Sequence, residues 1–181
     1  MEKYKLKLTK LQEEIFNFFC IKTGESFNKR EIAFFLEVSP TAISKAISKL
    51  EKEKLIIIKK KNNFNLHLVE LNRDSEKVLD LKRAKNLKRI YESNIFKFLK
   101  DTFPGSTIIL FGSYSKGEDI LGSDIDIAII GSKEKDVDLS KFENFLEREI
   151  IINYYQSFNK IHKHLKENIL NGILIEGGIE L

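Results

Sequence analysis

Leu110 to Ile130 reads LFGSYSKGEDILGSDIDIAII. The run Thr107 to Phe111 (TIILF), rich in β-branched residues, predicts a buried strand, and Ser123 to Ile130 (SDIDIAII) predicts a second. Between them stands Gly112-Ser113, then ten residues, then Asp124-Ile125-Asp126. Side chains alternate along a strand, so Asp124, Asp126 and Ala128 face one way and Ile125, Ile127 and Ile129 the other. Two like charges on one strand face repel unless a cation sits between them. A triphosphate needs backbone donors that can approach closely, which Gly112 permits, and a hydroxyl, which Ser113 supplies. Lys116 adds a point charge within the same turn. Gly112, Ser113 and Lys116 are therefore the candidate nucleotide-binding residues. Asp124 and Asp126 are the candidate metal ligands and catalytic carboxylates, able to share two Mg²⁺ or Mn²⁺ ions about 3.5 to 4 Å apart.

This stretch resembles the signature of the DNA polymerase beta-like nucleotidyltransferase superfamily: GS, ten residues, then DxD. The shortness of the domain makes it similar to the minimal nucleotidyltransferases of bacteria and archaea, some of which carry an N-terminal winged helix. The resemblance spans about residues 73–181. It implies a small mixed-sheet domain whose glycine-serine turn holds the triphosphate and whose aspartates hold the metals. The implied substrate is an NTP, with ATP the expected one, and the implied reaction moves an NMP to a hydroxyl on a protein, a small molecule or an RNA end. A small helical HEPN-type protein, as in toxin-antitoxin pairs, is an implied partner. The sequence departs from the family at one place. Active members carry a third carboxylate, often the general base, in a pattern like RKVDLV, and matching Arg148 to Asn153 (REIIIN) to it puts Ile151 where the aspartate belongs. Glu149 and Asn153 share that strand face, each displaced by about 6.5 to 7 Å. A catalytically weak or inactive nucleotide-binding regulator or antitoxin subunit thus stands beside the transferase as a second reading.

The N-terminal portion has its own pattern. Thr9 with Gln12 and Asn28 with Glu31 are capping boxes, and Pro40 after Ser39 marks the start of a third helix, reaching about Lys52. In that helix Ala42, Ile43, Ala46, Ile47 and Leu50 make the apolar stripe. Thr41, Ser44, Lys45, Ser48, Lys49 and Lys52 are left facing outward, and short hydroxyls with lysines suit phosphates and base edges in a major groove. Leu55 to Lys61 and Phe64 to Leu68 predict a hairpin around Asn62-Asn63. Three helices and a basic hairpin resemble the winged helix-turn-helix of the MarR and ArsR-like class, which implies a DNA partner and a homodimer reading paired half-sites.

The expected fold is accordingly α+β: a winged helix-turn-helix DNA-binding domain over 1–72 and a nucleotidyltransferase domain over 73–181. A linker helix without Gly or Pro is expected over about 73–101. Further on, Ser140 with Glu143 forms a capping-box pattern, Glu149 to Tyr155 predicts a strand, Ser157 to Asn168 a helix, and GILIEGGIEL a last strand. His162 and His164, two apart in that helix, should not face together. Net charge is +4, but residues 1–101 carry 23 basic and 14 acidic residues, whereas 102–181 carry 8 and 13. A basic half suits a polyanion and an acidic half suits cations. The single cysteine, Cys20, lies in an apolar run and reads as a buried structural thiol. No apolar run approaches the roughly 18 residues of a membrane helix and no signal peptide is seen, so a cytoplasmic chain without a membrane partner is expected.

Overall fold

Helix starts need side chains to accept the amide hydrogens that the first turn leaves unpaired, and three such caps organise the N-terminal unit. The computed structural model describes residues 6–61 and 66–180. It divides into two compact units, Met1–Val78 and Leu79–Leu181. Helix α1 (Lys10–Ile21) and helix α2 (Lys29–Phe35) both begin with complete capping boxes, Thr9 with Gln12 and Asn28 with Glu31. Helix α3 (Pro40–Lys52) starts with Pro40 behind Ser39, whose hydroxyl accepts from the Ala42 amide. Strands β1 (Ile56–Lys61) and β2 (Leu66–Leu71) pair antiparallel from Ile56 against Leu71 to Lys61 against Leu66. Phe27, ahead of α2, adds a bridge by exchanging both backbone bonds with Val69. Ile15, Phe19, Ile32, Ile43, Ile47, Leu50 and Val69 are buried, as is the free Cys20. The architecture is a winged helix-turn-helix. The turn expected at Asn62-Asn63, and Phe64 after it, lie outside the described residues.

Helix α4 (Glu76–Ser93) runs on into the second unit but does not reach Lys100. Asn94 adopts the left-handed conformation (φ 62°, ψ 14°), and α5 (Ile95–Thr102) restarts after it. The long helix expected to about residue 101 is therefore two. Ser93 Oγ accepts from the Ile95 amide at 3.2 Å and donates to the Ile90 carbonyl at 2.7 Å, so the Ser93-Asn94 pair satisfies the break locally. The bend lets Ile90, Ile95, Phe96 and Leu99 all enter one core.

Strands β3 (Thr107–Phe111), β4 (Ile125–Ile130), β5 (Ile150–Tyr155) and β6 (Ile173–Glu176) form a mixed sheet in the order β5-β4-β3-β6. β3 is antiparallel to β4 and β6, and β4 is parallel to β5. One sheet face packs Ile108, Leu110, Ile125, Ile127, Ile129 and Ile150 against the helices, including α7 (Ser140–Leu146) through Phe142 and Leu146. The other face packs Ile109, Phe111, Ala128 and Ile130 against Phe158, Ile161 and Ile169. The expected capping box at Ser140 is not formed: Ser140 is already helical, and its amide and hydroxyl both donate to Asp138 Oδ1. Glu143 instead accepts from the Ile150 amide at 3.0 Å, tying α7 to β5. The helix expected from Ser157 is also split, into a 3₁₀ turn at Phe158–Lys160 and α8 (Lys163–Leu170). His162 thus sits at a helix cap with ψ 141° rather than within a helix, and its ring comes within 5.7 Å of His164, contrary to the expectation that they face apart. No helix among the described residues is long and apolar enough to cross a membrane.

Candidate functional site

β3 delivers the chain to Gly112, the first residue of the one-turn helix α6 (Gly112–Lys116). Gly112 has φ +73°, which L side chains rarely adopt. A Cβ at this position would also collide with the carboxylate of Asp126, whose Cγ would lie 3.1 Å away. The pairing of Phe111 with Asp126 across β3 and β4 sets up this approach. Ser113 follows, half-buried. Ser115 Oγ donates to the Gly112 carbonyl at 2.8 Å and Gly117, with φ +77°, ends the helix. Lys116 Nζ donates to Asn168 Oδ1 of α8 at 3.2 Å, so the lysine ties α6 to α8.

Asp126 lies on the sheet face of Ala128 and Ile130, opposite to Ile125, Ile127 and Ile129, as the alternation required. Asp124 stands one residue before β4 and is exposed; the first ladder bond belongs to Ile125, whose amide donates to the Glu149 carbonyl at 2.8 Å. Burial, then the neighbouring Asp124 charge, push the Asp126 carboxyl above the ordinary carboxylate range. Both causes favour a bound cation, because each is relieved when positive charge is placed between the carboxylates.

Parallel pairing places Ile151 directly beside Asp126 and Asn153 beside Ala128. Register partners on adjacent strands share a face, so a branched apolar side chain stands next to the half-buried aspartate. The Glu149 side chain is exposed at the start of that strand. Tyr155, further along the same face, has its hydroxyl pushed above its ordinary range by burial and by Asp126. Glu176 is remote: it pairs with Ile108, three residues before Phe111 on β3, and its carboxylate holds Lys100 at 2.6 Å. Among the described residues no group of three or more His, Cys, Asp or Glu is placed to hold a metal. The donor set here is two carboxylates, and a Mg²⁺ held by them would complete its oxygen shell with phosphates and water.

Residues 92–175 match the family model of the nucleotidyltransferase domain. The matched stretch lies within the second unit. The matched stretch contains Gly112, Ser113, Asp124 and Asp126, and it also contains Ile151. No curated protein matches the chain. Solved structures similar to it include the zinc-responsive MarR family member ZitR of Lactococcus lactis, 27% identical over 56% of this chain and 67% of that one, with a TM-score of 0.41. Another is wild-type ZitR in complex with DNA, 24% identical over 56% and 66%, with a TM-score of 0.41. The adhesin competence repressor AdcR from Streptococcus pyogenes is 21% identical over 56% and 71%, with a TM-score of 0.43.

On the winged-helix unit, Thr41, Ser44, Lys45, Ser48, Lys49 and Lys52 are all exposed along α3 while Ile43, Ala46, Ile47 and Leu50 are buried. Lys49 pairs with Glu53 at 3.2 Å, and Glu53 also meets Lys77 at 3.5 Å. Lys59 and Lys60 on β1 are exposed as well.

One group of residues near the site escaped the sequence reading. Lys82, Asn86, Asp119 and Arg148 are buried polar residues of the second unit. Lys82 and Asn86 occupy a stripe of four-residue steps, Val78, Lys82, Asn86, Ile90, whose ends are fully buried. That spacing was the available signal.

Proposed function

We propose that the C-terminal domain binds an Mg-NTP, ATP being the expected nucleotide, and transfers NMP slowly or not at all, while the N-terminal unit binds duplex DNA. The observation that carries this is the set of neighbours around Asp126. Gly112 packs against its carboxylate, Asp124 acts on it electrostatically, and Ile151 lies beside it in register. The glycine-serine turn offers close backbone approach and a hydroxyl to the phosphates, with Lys116 as an auxiliary cation. Asp124 and Asp126 would hold Mg²⁺, which supplies charge neutralisation to the triphosphate. These two carboxylates suit an ion that arrives with the nucleotide. A second ion would have to share the same pair, since the neighbouring strand offers Ile151.

In transfer, an acceptor hydroxyl oxygen attacks the α-phosphorus, pyrophosphate leaves, and the acceptor proton must go to a base. Ile151 cannot take it, and loss of a general base costs roughly 10² to 10⁴ in rate. Water remains as a poor proton acceptor. The same substitution supports the second reading, a nucleotide-binding regulator or antitoxin subunit in which occupancy of the site, rather than turnover, is the signal to the DNA-binding unit. A HEPN-type protein is the proposed partner in that case, and a homodimer the proposed state on DNA. The test is transfer of label from ATP to the acceptor partner by wild type, Ile151→Asp and Glu149→Gln. Slow wild-type transfer accelerated by Ile151→Asp is expected. Fast wild-type transfer that survives Glu149→Gln would overturn the assignment of Ile151 to the base position.

A further inference from the structure

Beside α6 the second unit buries a charged cluster that none of the roles above uses. Lys82 is 0% exposed and Asp119 1%. Lys82 Nζ donates to Asp119 Oδ1 and, at 2.9 Å, to the Asp119 backbone carbonyl. Asn86 Nδ2 donates to Asp119 Oδ1 at 2.7 Å and to the Tyr114 carbonyl at 3.0 Å. The Arg148 guanidinium lies 3.6 Å from Asp119 Oδ2. One carboxylate thus meets α4, and Asn86 ties it to α6 as well. Arg148 joins it to the segment two residues before β5. Gly117 seats the start of the same loop on α4, since a Cβ there would overlap the Leu79 carbonyl and stand 2.8 Å from the Arg83 amide nitrogen.

Burying such ions costs several kcal/mol each, and apolar residues of like volume often stabilise a fold as well or better. What the cluster adds is a fixed geometry at a place where geometry matters. Asp126 is held by the ladder of β4, but Asp124 precedes that strand and is carried by the loop after Gly117. The turn between closes on itself, with Ile120 and Ser123 bonded through the Ser123 hydroxyl and amide at 3.0 Å each, and it joins the fold through Asp119 on one side and Asp124 on the other.

We propose that Asp119 is a positioning residue: held by Lys82, Asn86 and Arg148, it clamps the 117–124 loop so that Asp124 stands at metal-sharing distance from Asp126 before any ligand arrives. This rests on the nucleotide-site reading above. A merely structural role would lower stability throughout the unit. A positioning role acts on one loop and on the metal-dependent part of nucleotide binding.

The test uses the full chain with Asp119→Asn and with Asn86→Leu, the second of which removes two hydrogen bonds without leaving a charge unpaired. Amide exchange over 120–126 is expected to accelerate by about tenfold or more in both variants while β3 and β5 keep wild-type protection. The gain in ATP affinity on adding Mn²⁺ is expected to shrink about fivefold or more, with ATP affinity in EDTA changed less than about twofold. Variants that melt earlier but keep wild-type loop exchange and the wild-type Mn²⁺ gain would overturn the proposal. Should wild type show no Mn²⁺ gain at all, the nucleotide-site reading fails, and exchange alone decides the clamp: local acceleration supports it and unchanged exchange refutes it.

Discussion

Replacing Gly112 by alanine tests the closest contact in the candidate site. Gly112 sits at φ +73°, and holding a non-glycine residue in the left-handed region costs about 1 to 2 kcal/mol. The new methyl would also overlap the Asp126 carboxylate, and forcing extra volume into a packed position costs about 1 to 3 kcal/mol more. The sum, about 2 to 5 kcal/mol, is a large share of the roughly 5 to 15 kcal/mol that holds a domain together. Gly122 is the internal control: its φ is +86°, yet nothing lies within 4 Å of its would-be Cβ, so Gly122→Ala carries only the backbone cost. Urea unfolding followed by amide exchange of β3 and β4 measures both. Gly112→Ala should be more destabilising than Gly122→Ala by about 1 to 3 kcal/mol and should weaken Mg-ATP binding by at least about tenfold. Equal costs for the two variants, with Mg-ATP affinity intact in both, would refute the packing of the turn against Asp126.

Replacing Lys45 and Lys49 together should weaken duplex binding and flatten its salt dependence by up to about two units, read from affinities at several salt concentrations. Unchanged binding would remove α3 from the DNA interface. Asp126→Asn should stabilise the metal-free protein at pH 7.5, because a carboxyl whose folded value is raised loses stability as pH rises from the ordinary carboxylate range through that folded value. The advantage should vanish near pH 4, where wild type regains the proton, and thermal midpoints in EDTA at the two pH values check it. A variant less stable than wild type at pH 7.5 would count against the cost of burying the Asp126 charge and, with it, the repulsion from Asp124.

The parts of this protein that were legible in the sequence are those governed by local rules. Capping residues gave the three N-terminal helices, and strand alternation gave the face on which Asp126 stands with Ala128 and Ile130. Motif matching put Ile151 where a third carboxylate is expected, and its place beside Asp126 came from the parallel register of β4 and β5. What was not legible depended on tertiary contacts. The break at Asn94 answers the need to turn α5 onto the same core as α4, and an asparagine in the left-handed region has no distinctive neighbour pattern. Glu143 resembled half of a capping box but is used to anchor β5, seven residues away. The pairing of Lys82 was not legible because its carboxylate partner, Asp119, lies 37 residues further along the chain. The Lys116 to Asn168 bond, 52 residues apart, is of the same kind.

Calorimetric titration of ATP into the full chain, in Mg²⁺ and in EDTA, with the Asp124→Asn, Asp126→Asn double variant alongside, addresses the nucleotide site itself. Wild type should bind ATP at least about tenfold more tightly in Mg²⁺ than in EDTA, and the double variant, with an unchanged circular dichroism spectrum, should bind equally in both. The same affinity for wild type and variant in both buffers would contradict the assignment of Asp124 and Asp126 as the cation-holding pair.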